Sequence, residues 1–492
     1  MKTKLLAAAG LICTQAAFAQ EKPNIIFILA DDMGYGDVSV DNPYSRIHTP
    51  AIDRLASEGI RFTDAHAAGA LSTPSRYGLI TGRYFFRAPK SNGAWGYLQP
   101  HIEPDRTTLA DLLQATGYTT ACIGKWHLGL NWQKDGQKVD FSQPVTGGPN
   151  DLGFSYSFIL PGSLDMPPYV FMRNQRAIDS EIVQTGDVYP HTLNKTVEAW
   201  DRKYTKDSDI YWERGIWWRN GEMSASFKVE ECMDRIVDEG IAFIDREGSQ
   251  SNPFFLYLPL TGPHTPWMPN DKFKGSSELG PFGDFVNQID DVVARIVAKV
   301  NELGIADNTM IVFASDNGSA WNEEDNLQYV HHSNYGRRGM KGDAYDGGHH
   351  IPLIIKWPAK VHPGNTYAHP VCLLDFFATF AQMTQQTVTE NTAEDSFSFL
   401  DVLYGSQAPY RPFILYLSAA GKLAIRSGAW KLIEGLGSGG FTAPAKLKPV
   451  PNGPTDQLYN VQEDTLETYN MFLQRPDLVR QLQSLLETQI KL

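Results

Sequence analysis

Four short apolar runs constrain this chain most: Ile25-Ile26-Phe27-Ile28-Leu29-Ala30, Phe254 to Leu260, Met310 to Ala314 and Pro352 to Trp357. Each is continuous rather than alternating, which is the pattern of a strand buried on both faces. Helical patterns lie between them. In Phe285 to Leu303 the apolar positions Val286, Ile289, Val293, Ile296, Val297 and Val300 form one stripe, with Gly304 as its stop. Thr107 to Thr116 reads as a second helix, leading through Gly117 into a strand over Tyr118 to Ile123. Alternating strands and helices predict an α/β fold: a large mixed, mostly parallel sheet flanked by helices.

The ends of the chain read differently. Met1-Lys2-Thr3-Lys4, the apolar run Leu5 to Ile12 and Ala17-Phe18-Ala19 make a secretory signal over residues 1–19. The run is too short to span a bilayer, and Gly10-Leu11-Ile12 before Cys13 fits a lipid-attachment signal poorly. A soluble periplasmic or secreted protein with no membrane anchor is expected. Cys122, Cys232 and Cys372 have no metal-ligand spacing and read as buried free thiols. A catalytic domain over 20–385 is expected to give way, after the polar stretch Gln385 to Glu394, to a C-terminal α+β subdomain over 386–492. There Pro412 to Leu417, Leu423 to Ile425 and Ala429 to Ile433 read as strands of a small antiparallel sheet, and Pro476 to Ile490 as a terminal helix. The glycine-rich Gly435 to Gly440 follows no strand-to-helix phosphate pattern and reads as a flexible surface loop.

Polar clusters close the apolar runs. Asp31-Asp32 follows the first, and two adjacent carboxylates converge only where the chain turns, a turn that Gly34 and Gly36 would allow. Asp316-Asn317-Gly318 follows another run. Three carboxylates and an amide oxygen are hard ligands suited to Ca²⁺ or Mg²⁺. In Ser72-Thr73-Pro74-Ser75-Arg76, a helix beginning near Pro74 would place Ser72 where N–H groups favour an anion, with Arg76 a turn away. A capping serine with surface arginines fits that spacing equally well. Lys125 and His127 in Gly-Lys-Trp-His-Leu-Gly, His264 in Gly-Pro-His-Thr-Pro, and Lys341 in Gly-Met-Lys-Gly add cations and acid–base groups. The net charge of −13, from 43 basic and 56 acidic residues, argues against a nucleic-acid partner but not against a local pocket for an anionic ester.

These motifs resemble the formylglycine-dependent sulfatases of the alkaline phosphatase superfamily, in the same order and from about Pro23 to Met471. The Ser-x-Pro-Ser-Arg motif with its Thr-Gly-Arg at Thr81 to Arg83 is the most specific of them. The resemblance implies a Ser-type bacterial carbohydrate sulfatase with that superfamily's sandwich fold. Ser72 would be the modified residue, oxidised to formylglycine by a maturation enzyme. Asp31, Asp32, Asp316, Asn317 and the residue at position 72 would hold one Ca²⁺. Arg76 would hold the formylglycine, Lys125 and Lys341 would contact sulfate, and His127 would help deprotonate the diol during sulfate release. His264 would protonate the leaving alcohol, and Asp316 would help activate the attacking hydroxyl. For the sugar, Asp165 in Pro161 to Val170, Trp267, Trp95 and the trio Asp346, His349 and His350 are the candidates. Two departures stand out: His350 where many relatives carry Arg, and Leu417 where many carry His. The implied activity is exo-acting desulfation of sulfated galactose or N-acetylgalactosamine in glycosaminoglycan or mucin, at the 6-sulfate. A phosphoester or phosphonate hydrolase, a sulfatase for N-acetylglucosamine, and a calcium-dependent glycan-binding protein are the alternatives.

Overall fold

The computed structural model describes residues 22–188, 219–389 and 391–491. The secretory signal lies outside the described residues. A ten-stranded sheet spans the catalytic region. In chain order its strands are β1 (Asn24–Asp31), β2 (Ile60–Phe62), β3 (Thr119–Lys125), β4 (Tyr156–Leu160), β5 (Met172–Arg173), β6 (Arg176–Ala177), β7 (Phe254–Pro263), β8 (Thr309–Ser315), β9 (Leu353–Lys356) and β10 (Asn365–Tyr367). Their spatial order is β10-β2-β9-β8-β1-β7-β3-β4-β5-β6. The central run from β8 to β4 is parallel throughout. Antiparallel strands flank it on both sides, β9 on β8 and β5 on β4, so the sheet is mixed as expected.

The apolar runs form the middle of the sheet because both of its faces are covered. Along β1, Ile25, Phe27 and Leu29 enter one core while Ile26, Ile28 and Ala30 enter the other, all fully buried. That is the period-2 alternation of a strand with an apolar partner on each side. Truncating Phe27, which meets Phe376 edge-on at 4.8 Å, would cost about 3–5 kcal/mol through lost burial and a residual cavity. The helix Gly280–Glu302 lays Val286, Ile289, Val293, Ile296 and Val300 into the second core. It stops where Gly304 takes φ +70°. The Ile305 N–H then bonds the Val300 carbonyl and the Gly304 N–H the Asn301 carbonyl, which satisfies carbonyls the helix leaves open.

The C-terminal segment builds a separate antiparallel sheet from β11 (Ile414–Leu417), β12 (Leu423–Ser427), β13 (Trp430–Ile433) and β14 (Gln457–Asn460), packed against the helix Pro476–Lys491. Gly435 to Gly440 is not the loose surface loop that composition suggested. Gly437, Ser438 and Gly439 are buried, Ser438 accepts the Ala344 N–H at 2.8 Å, and a Cβ on Gly440 would lie 2.2 Å from Gly342. Its glycines permit close packing onto the catalytic domain. Cys122, Cys232 and Cys372 are buried free thiols, as read from their spacing. Among the described residues no helix is long and apolar enough to cross a membrane.

Candidate active site

Parallel strands deliver their carboxyl ends to one edge, and the chemistry-bearing residues sit there. Asp31 ends β1, Lys125 ends β3, His264 follows β7, and Asp316-Asn317 follow β8. Asp31 and Asp32 converge because Asp32 itself adopts a left-handed conformation, φ +66°. The turn is therefore made by an aspartate, a residue that tolerates this region, rather than by Gly34 or Gly36. Those two glycines serve a different purpose. A Cβ on either would lie within 2.1 Å of the Ser333 or His332 carbonyl, so they let that segment pack against the turn. Gly124, at φ +133°, similarly brings the end of β3 against the Pro259 carbonyl.

Ser72 is the first residue of the helix Ser72–Thr81, at the end where the helix dipole is positive. Its Oγ lies 3.1 Å from Asp31 Oδ1, 3.5 Å from Asn317 Oδ1 and 3.4 Å from Lys125 Nζ. Lys125 Nζ donates to Asp31 Oδ2 at 2.6 Å, and Lys341 Nζ to Asp32 Oδ2 at 2.7 Å. Arg76 donates through Nε and Nη2 to Asp316 Oδ2, at 3.1 and 2.8 Å, and through Nη1 to the Lys125 carbonyl. Asp316 Oδ1 accepts the Asp32 N–H at 3.1 Å. Three carboxylates thus face three cations in a region with little contact with solvent.

Burial alone would raise Asp31, but Lys125, His264 and Arg76 outweigh it and hold its carboxyl below the usual range. For Asp32 the same burial is overcome by Lys341 and His264. Burial draws Lys125 below the ordinary lysine range, so its charge rests on Asp31 rather than on water. Lys341 is pushed upward because Asp32 and Asp31 outweigh burial. His127 is driven far down by burial and by the Lys125 and Arg76 charges, which keeps its imidazole neutral.

Asp31, Asp32 and His264 each offer a ligand atom within 4.8 Å of the other two. Asp316 stands beside this trio, its Oδ1 on the Asp32 N–H and its Oδ2 on the Arg76 guanidinium. Asn317 offers Oδ1 toward Ser72 while Nδ2 donates to Asp32 Oδ1 at 2.7 Å. Convergent carboxylate and amide oxygens, ringed by compensating cations, fit a hard divalent ion.

The structure gathers Ser72, Arg76, Lys125, His264, Lys341, Asp31, Asp32, Asp316 and Asn317 into one cluster. His127 joins it through its backbone, whose carbonyl accepts from Thr73 Oγ1 at 3.1 Å. Asp165 joins through His264, its Oδ1 standing 3.8 Å from Nδ1, and it is ion-paired to Arg219 at 2.7 Å. Trp95 is partly exposed with the Arg219 guanidinium over its ring at 5.2 Å. Trp267 does not face the site openly: it packs on Phe282 and Trp321 in the core. Asp346, His349 and His350 are elsewhere again, fully buried in a charge network that binds the C-terminal sheet. Asp346 holds Lys431 at 2.7 Å, His349 stacks on Tyr416 at 3.8 Å, and His350 Nε2 donates to the Thr63 carbonyl at 3.1 Å. This is a correction to the sugar-binding expectation for these three, since no face of them is open to a sugar.

Three residues escaped sequence reading. Ser315 Oγ accepts the Met33 N–H and donates to the Asn317 carbonyl, tying the two acidic turns together. Asn334 clamps Ser319 through both of its amide atoms. Arg219 anchors Asp165. Asn334 and Arg219 lie in no motif. Ser315 opens the Ser-Asp-Asn-Gly motif at 315–318, which drew attention to its Asp and Asn but gave the serine no role.

An anion site at a helix N-terminus, beside clustered carboxylates and paired cations, is the arrangement of a metal-assisted ester hydrolase. The comparisons narrow the class. Residues 23–386 match the Sulfatase family, and the chain belongs to it. It is 35% identical over 483 residues to an N-acetylgalactosamine-6-O-sulfatase of Bacteroides thetaiotaomicron, across 95% of this chain and 93% of that one. It is 29% identical over 443 residues to the N-acetylgalactosamine-6-sulfatase of Canis lupus familiaris, across 87% of this chain and 74% of that one. A solved Bacteroides thetaiotaomicron structure, from work on the metabolism of multiple glycosaminoglycans, superposes with a TM-score of 0.81 at 34% identity, over 95% of this chain and 99% of that one. The chain is a sulfuric ester hydrolase with the sulfatase fold, of a family that generally uses a formylglycine and a metal ion.

Proposed function

We propose that this chain is an exo-acting glycan sulfatase that removes the 6-O-sulfate of terminal N-acetylgalactosamine or galactose. In this reading Ser72 is converted to formylglycine by a maturation enzyme, one Ca²⁺ ion is bound, and a signal over residues 1–19 directs the chain to the periplasm or beyond. The observation that carries the substrate is the 35% identity, along nearly the whole chain, to an N-acetylgalactosamine-6-O-sulfatase.

Oxygens of Asp31, Asp32, Asp316, Asn317 and residue 72 would hold the ion. A hydrated aldehyde at position 72 would supply the attacking hydroxyl and a second hydroxyl to be deprotonated for release, and the ion would supply fixed positive charge where negative charge builds. Lys125, 3.4 Å from Ser72 Oγ, and Lys341, on Asp32, place further cations where a sulfate would lie. Arg76, held by Asp316 and the Lys125 carbonyl, fixes the wall behind residue 72. His264 Nδ1 lies 2.6 Å from the Thr265 carbonyl, which only accepts, so Nδ1 carries its proton there. Nε2 is left pointing toward Asp32 Oδ2 at 3.7 Å, the position from which a protonated ring gives its proton to the leaving alcohol. Neutral His127 is suited to take the proton lost from residue 72 during release.

The test uses protein in which mass spectrometry shows the Ser72 peptide two hydrogens lighter. Sulfate release is assayed from galactose, N-acetylgalactosamine and N-acetylglucosamine, each sulfated at a single position. Turnover confined to 6-sulfated galactose or N-acetylgalactosamine is expected. Preference for a 4- or 3-sulfate, or for N-acetylglucosamine, would overturn the substrate assignment.

A further inference from the structure

A cleft of about 960 Å³ opens beside the catalytic cluster, between the segment from Trp321 to Met340 and two C-terminal segments that include Phe441 and Leu466. Its lining adjoins residues of the site along the chain and through one hydrogen-bonded clamp. Met340 and Gly339, in its lining, directly precede Lys341, whose Nζ is on Asp32. Asn334, also in the lining, holds Ser319, two residues beyond Asn317. We propose that this cleft binds the sugar following the sulfated residue in the glycan chain, with the Phe441 ring as its platform. The proposal rests on the reading of the chain as a glycan sulfatase and adds to it a subsite and a chain-length preference.

A single exposed aromatic is ordinary on a protein surface. Phe441 differs in how it is held. It is 54% exposed, yet it follows the tightly packed glycine loop. On one side of it Ser438 accepts the Ala344 N–H at 2.8 Å, and on the other the Thr442 N–H bonds Asp343 Oδ1 at 3.0 Å. The ring edge stands 3.2 Å from where a Cβ on Gly342 would be, and Gly342 has φ +88°. Glycine there lets the ring lie directly against the residue that follows Lys341. The wall is therefore preorganised, so ordering it costs a ligand little.

The lining suits a pyranose, which has an apolar C–H face and a hydroxyl rim. Phe441 offers an apolar face, while Arg337, His332 and Asn326 offer polar groups around it. The cleft volume falls within the roughly 300–1,000 Å³ of small-molecule sites. The occupant is thus the remainder of the substrate, entering where Lys341 marks the sulfate end.

The test compares kcat/KM on a 6-sulfated monosaccharide with kcat/KM on the same sugar at the end of a tetrasaccharide. Wild type, Phe441→Ala and Phe441→Trp are measured. Wild type should favour the tetrasaccharide. In Phe441→Ala the tetrasaccharide-to-monosaccharide ratio should fall about three- to tenfold, mainly through KM, the scale of one lost aromatic contact. Phe441→Trp should restore it. An unchanged ratio in Phe441→Ala, whether both substrates lose equally or neither does, would overturn the subsite while leaving the sulfatase reading intact. Failure of formylglycine-bearing wild type to release sulfate from either substrate would overturn the glycan sulfatase reading, and the subsite with it.

Discussion

Two buried charge networks share this molecule. One is the catalytic cluster around Ser72. The other joins the catalytic domain to the C-terminal sheet through Asp64, His66, Asp346, His349, Arg426, Lys431 and Glu467. Both mix carboxylates, cations and histidines, and both are almost wholly out of water. They differ in closure. In the second, Lys431 Nζ lies 3.3 Å from His349 Nε2, His349 Nδ1 3.0 Å from His66 Nδ1, and His66 Nε2 2.8 Å from Asp64 Oδ1. Because Asp64 only accepts, the protons run in one direction along this chain with one proton on each ring, in keeping with burial pulling both histidines below their ordinary range. Arg426 then closes Asp64 with bonds of 2.9 and 2.8 Å. Every charge ends on a partner. In the catalytic cluster the carboxylates are paired with cations too, but the oxygens of Asp31 and Asn317 also converge on Ser72 Oγ, and Asn317 bridges to Asp32. Charge and burial do not make an active site; convergence on a shared point does.

The largest effect should come from Ser72→Ala. We expect sulfate release to fall by at least about 10⁴-fold with little change in unfolding temperature, since one short side chain is lost and no charge is stranded. A large drop in thermal stability would blur the contrast. Lys431→Met should do the reverse. It leaves the Asp346 and Glu467 carboxylates buried together, which costs about 3–5 kcal/mol in a denaturant titration, while the folded fraction keeps its turnover number. Loss of turnover per folded molecule would show that this network reaches the chemistry.

Removal of calcium by a chelator should abolish turnover and lower the unfolding temperature, with both restored by Ca²⁺. An ion at about a hundredfold excess over its Kd contributes about 2.7 kcal/mol of stability. Chelation that leaves turnover untouched would remove the metal from the reading.

The smallest effect is a pH slope. Burial pushes the Glu467 carboxyl up to about 7, against the pull of Lys431. The unfolded carboxyl titrates near 4.5, so between these values the folded chain binds the extra proton. Stability from this group is complete below about pH 4.5 and drains away as pH rises through about 7. Glu467→Gln should flatten that part of the stability profile. A slope that survives the substitution would belong to another group.

The same contrast explains what sequence reading reached. Asp31, Asp316 and Lys125 were legible because each closes an apolar strand, and parallel strands bring such ends together. Ser72 and Arg76 were legible through one motif and a helix start. Asp346, His349 and His350 carried an equally polar motif, but the motif does not say whether a partner waits in the C-terminal sheet. Lys431 does wait there, 85 residues away along the chain. Gly34 and Gly36 were misread for a related reason. A glycine signals backbone freedom or close approach, and only the position of the Ser333 carbonyl shows which.

By itself the sequence determined the strands, the helices that separate them and the edge where the chemistry gathers. These follow from local periodicity and from the shared direction of parallel strands. Tertiary structure alone decided which charges are closed and which are left convergent, how Asp32 turns, and where Phe441 is presented. Those depend on atoms brought together from distant segments, and no spacing along one chain encodes which of them will face each other across a core.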